Sequence, residues 1–183
     1  MATSEQTTDL KLRSRLADGS LAGSWTMDSA RSTVGLRSKS MWGLAPVKGT
    51  FGTVSGEGEV SATGEVNGTF TVDSASIDTK SKKRDVHLRS ADFFDSETYP
   101  HIVFTISGLT LTAESATAAG TLRVRDRTQP LTFPVTISDA GDKAFQLDTE
   151  IVIDRSEFGL SWNQMGMASM KNTITVSAVF TQL

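Results

Sequence analysis

Apolar side chains fall on every second position through most of this chain, a periodicity that commits it to half-buried strands sharing one interior. Phe145, Leu147, Thr149, Ile151 and Ile153 alternate with Gln146, Asp148, Glu150 and Val152. Leu131, Phe133, Val135 and Ile137 alternate with Thr132, Pro134, Thr136 and Ser138. Gly120, Leu122 and Val124 oppose Thr121, Arg123 and Arg125, and Ile174, Val176, Ala178 and Phe180 oppose Thr175, Ser177 and Val179. Earlier strands are expected over roughly 33–39, 47–59, 65–77 and 101–112, about eight in all. In the fourth of these the apolar parity changes from Ile102, Phe104 and Ile106 to Leu109 and Leu111, which places a bulge near Ser107-Gly108. Pro134 has no N–H to give a ladder, so it is expected at an edge, a bulge or an outward gap. These strands predict an all-β chain closed into an eight-stranded antiparallel barrel, because closure removes the exposed edges such a chain must otherwise protect.

If successive strands run up and down, alternate connections fall at opposite ends. One set is short and polar: Ser61 to Gly64, Ala113 to Ala116, and Asp139 to Asp142. The other is long and unusual: Met41 to Pro46, the whole 78–100 segment, Asp126 to Pro130, and 155–172 with its Trp and Met residues. One end reads as a plain base and the other as a built mouth, and loops on a rigid scaffold commonly carry function. Short helical turns are expected in 80–95 and 155–162.

Residues 1–24 are polar and lack a strand pattern; Leu10, Leu12, Leu16 and Leu21 allow a weak helix, and the segment is expected to be a flexible extension of a single domain over 25–183. A net charge of −3 and a pI near 5.4 argue against a nucleic-acid partner. No apolar run approaches the ~18 residues of an integral membrane segment. The absence of a secretory h-region, together with a cysteine count of 0, points to a cytoplasmic address. Without Cys, disulfides, thiolate metal sites and a Cys nucleophile are excluded together.

Catalytic signals are weak. The histidines are His87 and His101. A hydrolase triad would join His87 to Asp85 and to Ser90 or Ser96, but no G-x-S-x-G elbow presents the serine. Metal ligation by His87, Asp85, Asp92 or Asp95 lacks a recognised spacing, so neither a metal nor a cofactor is expected. The glycines of Gly49 to Gly52 and Gly56 to Gly58 match no nucleotide-binding loop and read as strand bends. Phe51, Phe70, Phe104, Leu122, Phe133, Leu147, Ile151 and Val176 share the inward face, where they either fill the barrel or line a tunnel. The small residues Gly49, Gly68, Gly120 and Ala178 among them favour a tunnel.

Three separated stretches together resemble one family. Trp25-Thr26-Met27-Asp28, the segment 76–104 (SIDTKSKKRDVHLRSADFFDSETYPHIVF) and Asp154-Arg155-Ser156-Glu157-Phe158-Gly159-Leu160 are similar, in this order, to the signatures of the YceI-like family of lipocalin-like barrels. The resemblance implies a non-catalytic protein that holds a long isoprenoid lipid, a polyprenyl phosphate or an isoprenoid quinone, inside the barrel. It also implies a ligand-contacting mouth built from Trp42, Arg84, His87, Phe93, Phe94, Arg155, Trp162 and Met165. Arg84, His87, Arg127 or Arg155 would then meet a polar or anionic head. Alternatively Asp85 has a structural task, accepting bonds from loop amides or pairing with Arg155. The chain departs from the family at Arg31-Ser32, Lys39-Ser40-Met41, Leu36 and Ser38, which bears on the head group more than on the fold. Two other roles stay open: a filled barrel whose 78–100 and 155–172 loops dock a partner protein, and an enzyme acting through His87 and Asp85. A homodimer is compatible with any of the three.

Overall fold

The computed structural model describes residues 4–112 and 115–183, with side chains from Lys11 onward. The base connection expected at 113–116 therefore lies partly outside the described residues, at Ala113 and Glu114.

Helix α1 (Ser4–Ala17) precedes ten strands. These are β1 (Gly23–Ser40), β2 (Ala45–Phe51), β3 (Val54–Val60), β4 (Val66–Asp73), β5 (Ile77–Asp78), β6 (His101–Leu111), β7 (Ala116–Val124), β8 (Arg127–Gly141), β9 (Ala144–Asp154) and β10 (Lys171–Gln182). Helix α2 (Lys82–Arg89) lies between β5 and β6. Eight strands close antiparallel in the order β1-β3-β4-β6-β7-β8-β9-β10, and β10 returns to β1. The remaining two, β2 and β5, extend the wall at the mouth: β2 pairs with the second half of β1, and β5 pairs with Thr50 and Phe51.

The departures from strict alternation have local causes. Strand β1 begins at Gly23 rather than near 33. Its register slips between Asp28 and Thr33, where Ser32 Oγ donates to Asp28 O and accepts from Val179 N, and this irregularity breaks the two-residue period. The stretch expected as one strand over 47–59 is interrupted after Phe51, where Gly52 N and Thr53 N leave the ladder to donate to Ser76 O and Ser76 Oγ. The strand expected over 65–77 stops at Asp73, whose carboxylate accepts from Ala75 N and caps a single 3-10 turn. The bulge expected at Ser107-Gly108 is present, as the β6–β7 register shifts between Ile106 and Gly108. Pro134 stands where the β8–β9 ladder gives out: pairing runs from Gly141 to Thr136 and stops, and Thr149 Oγ1 donates to Pro134 O at 2.7 Å in place of the next rung.

The N-terminal segment forms the helix that its leucines allowed. Its helix lies across the base, with Leu12 and Leu21 buried against Trp25, Ile137 and Phe145, and with Leu16 beside them. Trp25 Nε1 donates to Leu21 O at 3.0 Å, and the Arg15 guanidinium sits 5.4 Å from the Phe145 ring centroid. Burying two leucines this way is worth about 1.5–3 kcal/mol each, enough to seat a short helix whose outer face is polar.

The barrel lumen and its mouth as a candidate ligand site

A continuous cavity of about 510 Å³ occupies the barrel. Its floor is Leu12, Leu16, Leu21 and Trp25, contributed by α1, the turn that follows it and the start of β1. All eight inward residues named from the alternation, Phe51, Phe70, Phe104, Leu122, Phe133, Leu147, Ile151 and Val176, line it. Of the small residues expected to make room, Ala178 lines the cavity but Gly49, Gly68 and Gly120 do not. A Cβ at Gly68 would come within 2.4 Å of Glu57 O, and one at Gly120 within 2.1 Å of Thr105 O. Those two glycines therefore serve close approach of neighbouring backbones rather than the width of the lumen.

Three of the long connections, 41–44, 79–100 and 155–170, gather at one end, whereas the one expected at Asp126 to Pro130 is a two-residue turn, Arg125-Asp126, with β8 already begun at Arg127. Ser81 caps α2 by accepting from Arg84 N, and the helix leans its Leu88 on the cluster around Phe51 and Ile77. Phe94 joins the same cluster, with its ring 5.9 Å from that of Phe51. Above the lumen, His87, Phe93 and Trp162 form an aromatic trio: His87 meets Trp162 edge-on at 4.4 Å and Phe93 at 5.2 Å, and Phe93 and Trp162 are 5.4 Å apart. Arg84, His87, Phe93, Phe94, Arg155 and Trp162 line the upper cavity. Trp42 and Met165, expected among them, do not; they are 67% and 77% exposed on the outside of the rim.

The polar groups of the mouth are largely committed to holding it together. Asp85, buried on α2, accepts from both Thr79 N (2.9 Å) and Thr79 Oγ1 (2.6 Å). Arg84 donates through Nε to Thr79 Oγ1 and through Nη2 to Thr79 O. The Asp85–Arg155 pair is not formed. Arg155 instead ties the β9–β10 connection to itself, with Nε donating to Ser169 O and Nη1 to Leu160 O (2.6 Å) and Trp162 O (2.9 Å). Its guanidinium carbon lies 5.4 Å from the Phe93 ring centroid. Burial pushes the Arg155 guanidinium below its ordinary value while the neighbouring Asp154 opposes that shift. The turn that Arg155 opens closes with Gly159 at a φ of 74°, a left-handed cap suited to glycine. Its Phe158 and Leu160 are buried against Leu122 and Val124. Arg127, expected near a head group, lies against Gly159 on the outer side of this turn.

The residues a hydrolase would need each have other partners. His87 Nε2 is paired with Asp92 Oδ2 at 2.9 Å, Asp85 serves Thr79, Ser90 Oγ donates to His87 O, and Ser96 Oγ accepts from Ser74 Oγ. Among the described residues no three His, Asp or Glu side chains converge as metal ligands, and no helix is long and apolar enough to cross a membrane.

Sequence reading overlooked the floor. Leu12 and Leu16 stand four apart on one helical face, and that pair was the available signal. Against so polar a background it does not say what the face covers.

A closed antiparallel barrel of eight strands, with an apolar lumen, a capped base and an elaborated mouth, is a lipocalin-like β-barrel by its architecture. The YceI-like domain model matches residues 25–181, and the chain belongs to that family. A UPF0312 protein of Staphylococcus aureus strain USA300 is 28% identical over 148 residues, covering 76% of this chain and 84% of its own. Among solved structures, BcnA of Burkholderia cenocepacia superposes with a TM-score of 0.75 at 25% identity, covering 84% of this chain and 98% of that one. A polyisoprenoid-binding domain from Saccharophagus degradans, implicated in plant cell wall breakdown, shares the fold at a TM-score of 0.70 and 14% identity, over 87% and 98% of the two chains.

Proposed function

We propose that the protein binds a long isoprenoid chain in its lumen and carries or sequesters it, without catalysis. The observation that carries this reading is the cavity itself: about 510 Å³ of nearly uninterrupted apolar wall from the α1 floor to the aromatic trio. A filled interaction module would have packed that space, since interiors normally close to crystal density. The name of the Saccharophagus degradans domain adds support from a shared fold. An apolar tail gains about 25 cal/mol for each Å² it removes from water, so an extended chain binds well without specific contacts.

Of the two head groups the resemblance implies, a quinone or other neutral head fits better than a phosphate. Arg84 and Arg155, the guanidinium groups on the upper cavity wall, already commit most of their donor nitrogens to Thr79 and to loop carbonyls, and Arg155 Nη2 is left buried without a partner among the described residues. A flat ring, by contrast, can lie against His87, Phe93 and Trp162. A cytoplasmic setting belongs to the proposal and rests on the cysteine-free sequence.

Phe104 on β6 and Phe133 on β8 pack against each other on the lumen wall with ring centroids 5.3 Å apart. Phe104→Trp or Phe133→Trp adds bulk there and is expected to weaken uptake of a polyprenol or quinone at least tenfold, while overpacking costs about 1–3 kcal/mol of stability. Uptake that is unchanged in both variants, with the fold intact, contradicts a lumen site.

A further inference from the structure

Just outside the mouth, apolar side chains project into solvent. Met41, Trp42 and Leu44, in the β1–β2 connection, are 53%, 67% and 83% exposed, and Met165, in the β9–β10 connection, is 77% exposed. The two connections form one rim, because Trp42 N donates to Met167 O at 3.1 Å and Ser169 N donates to Lys39 O at 2.9 Å. Both are built in an unusual backbone: Met41, Trp42 and Met165 have φ of 51°, 55° and 53°, a region that non-glycine residues seldom adopt. The chain thus holds a strained conformation whose side chains gain nothing from the protein's own core.

The lumen reaches this same rim. Ser38, Lys39, Ser40, Val47, Ala168 and Ser169 line the cavity where β1, β2 and the β9–β10 connection meet, so its opening lies directly beside the exposed apolar tips. The electrostatics of the two ends also differ. Lys39, Lys48 and Lys171 stand exposed around the rim, and Lys82 and Lys83 on α2, while Lys80 is paired with Asp78 at 2.7 Å and Asp92, Asp95 and Glu97 share the connection that carries α2. Glu57, Glu59, Glu65, Asp139 and Asp142 collect toward the base. A chain of net charge −3 therefore presents its positive end where its apolar tips are.

We propose that this rim is a docking surface for an anionic membrane, with Trp42, Leu44 and Met165 seated among the headgroups and the lumen opening onto the acyl layer. Apolar tips beside basic side chains are the combination that binds such an interface, and tryptophan favours the headgroup level. Docking lets an isoprenoid tail pass between bilayer and barrel without crossing water. The proposal rests on the lumen being a lipid site, but vesicle binding is measured separately from uptake.

The test is sedimentation of the full chain with vesicles of phosphatidylcholine alone and of phosphatidylcholine mixed with phosphatidylglycerol, at low and raised salt. The wild type is expected to bind the mixed vesicles, to bind neutral ones far less, and to be released by salt. The variant Trp42→Ser/Leu44→Ser/Met165→Ser is expected to lose about tenfold or more of that binding. Lys39→Glu/Lys48→Glu, which leaves the tips alone, is expected to lose the preference for phosphatidylglycerol. Uptake of a dispersed polyprenol is followed in parallel. Vesicle binding without uptake leaves docking standing and removes the lumen reading. No binding by the wild type, equal binding to neutral vesicles, or binding untouched by both variants overturns the proposal. A wild type that ignores vesicles but is dimeric, with a monomeric serine variant, assigns the rim to a second copy and also overturns it.

Discussion

Arg155 shows how one side chain can be claimed by structure in a place where ligand chemistry was expected. Its position at the end of β9 and its likeness to the family signature marked it as a mouth residue, and it does line the cavity. Yet its Nε and Nη1 reach the carbonyls of Ser169, Leu160 and Trp162, so it fixes the path of the loop that carries Trp162. Buried carbonyls left without donors cost about 1–3 kcal/mol each. Arg155→Ala is therefore expected to cost about 3 kcal/mol overall, a fall in Tm of roughly 6–12 °C in a domain of this size. Its relative affinity for neutral and phosphorylated polyprenols should not change. Thermal unfolding by circular dichroism and a competitive binding assay on this one variant check both halves. A shifted head-group preference at unchanged Tm would return Arg155 to the ligand. Asp85 has the same character: the sequence marked it as an acceptor for loop amides, and Thr79 N and Oγ1 are the donors.

Among the elements, strands were legible because a two-residue period survives wherever a strand has one wet and one dry face. The lining of the lumen followed from that parity alone: each of the eight inward residues of the alternation reaches the cavity. What parity could not carry was the start of β1, where the slip between Asp28 and Thr33 disrupts it, or the ends of β2 and β4, where side-chain caps stop the strand. The mouth was legible as a set of long connections, but which of its residues face inward depends on left-handed turns at Trp42 and Met165; the adjoining Gly43 and Gly166 mark a turn without saying where the side chains point. The leucines of the N-terminal segment allowed helix α1, but its docking across the base was hidden, since that rests on few of them. Leu12→Ser should therefore release it locally: hydrogen exchange is expected to lose protection over residues 4–17 while the barrel strands keep theirs. With the floor loosened, the preferred tail in a series of polyprenols should also lengthen. Protection lost equally in every strand would mean that α1 is integral to barrel stability and not a separable floor.

For the whole molecule, the parts assemble around one axis. The base is shut by short turns and α1, the wall is a closed ladder relaxed between β8 and β9 above Pro134, and the mouth is ringed by aromatic and basic side chains. Such a molecule has an inside to fill, and a sidedness that says where filling begins. Native mass spectrometry of the full chain, purified gently and without detergent, tests this most directly. A mass increment corresponding to an isoprenoid or quinone-type lipid is expected, or, in protein that arrives empty, stoichiometric uptake of an added polyprenol or isoprenoid quinone in preference to a polyprenyl phosphate. Protein that stays empty and ignores all three would contradict the account.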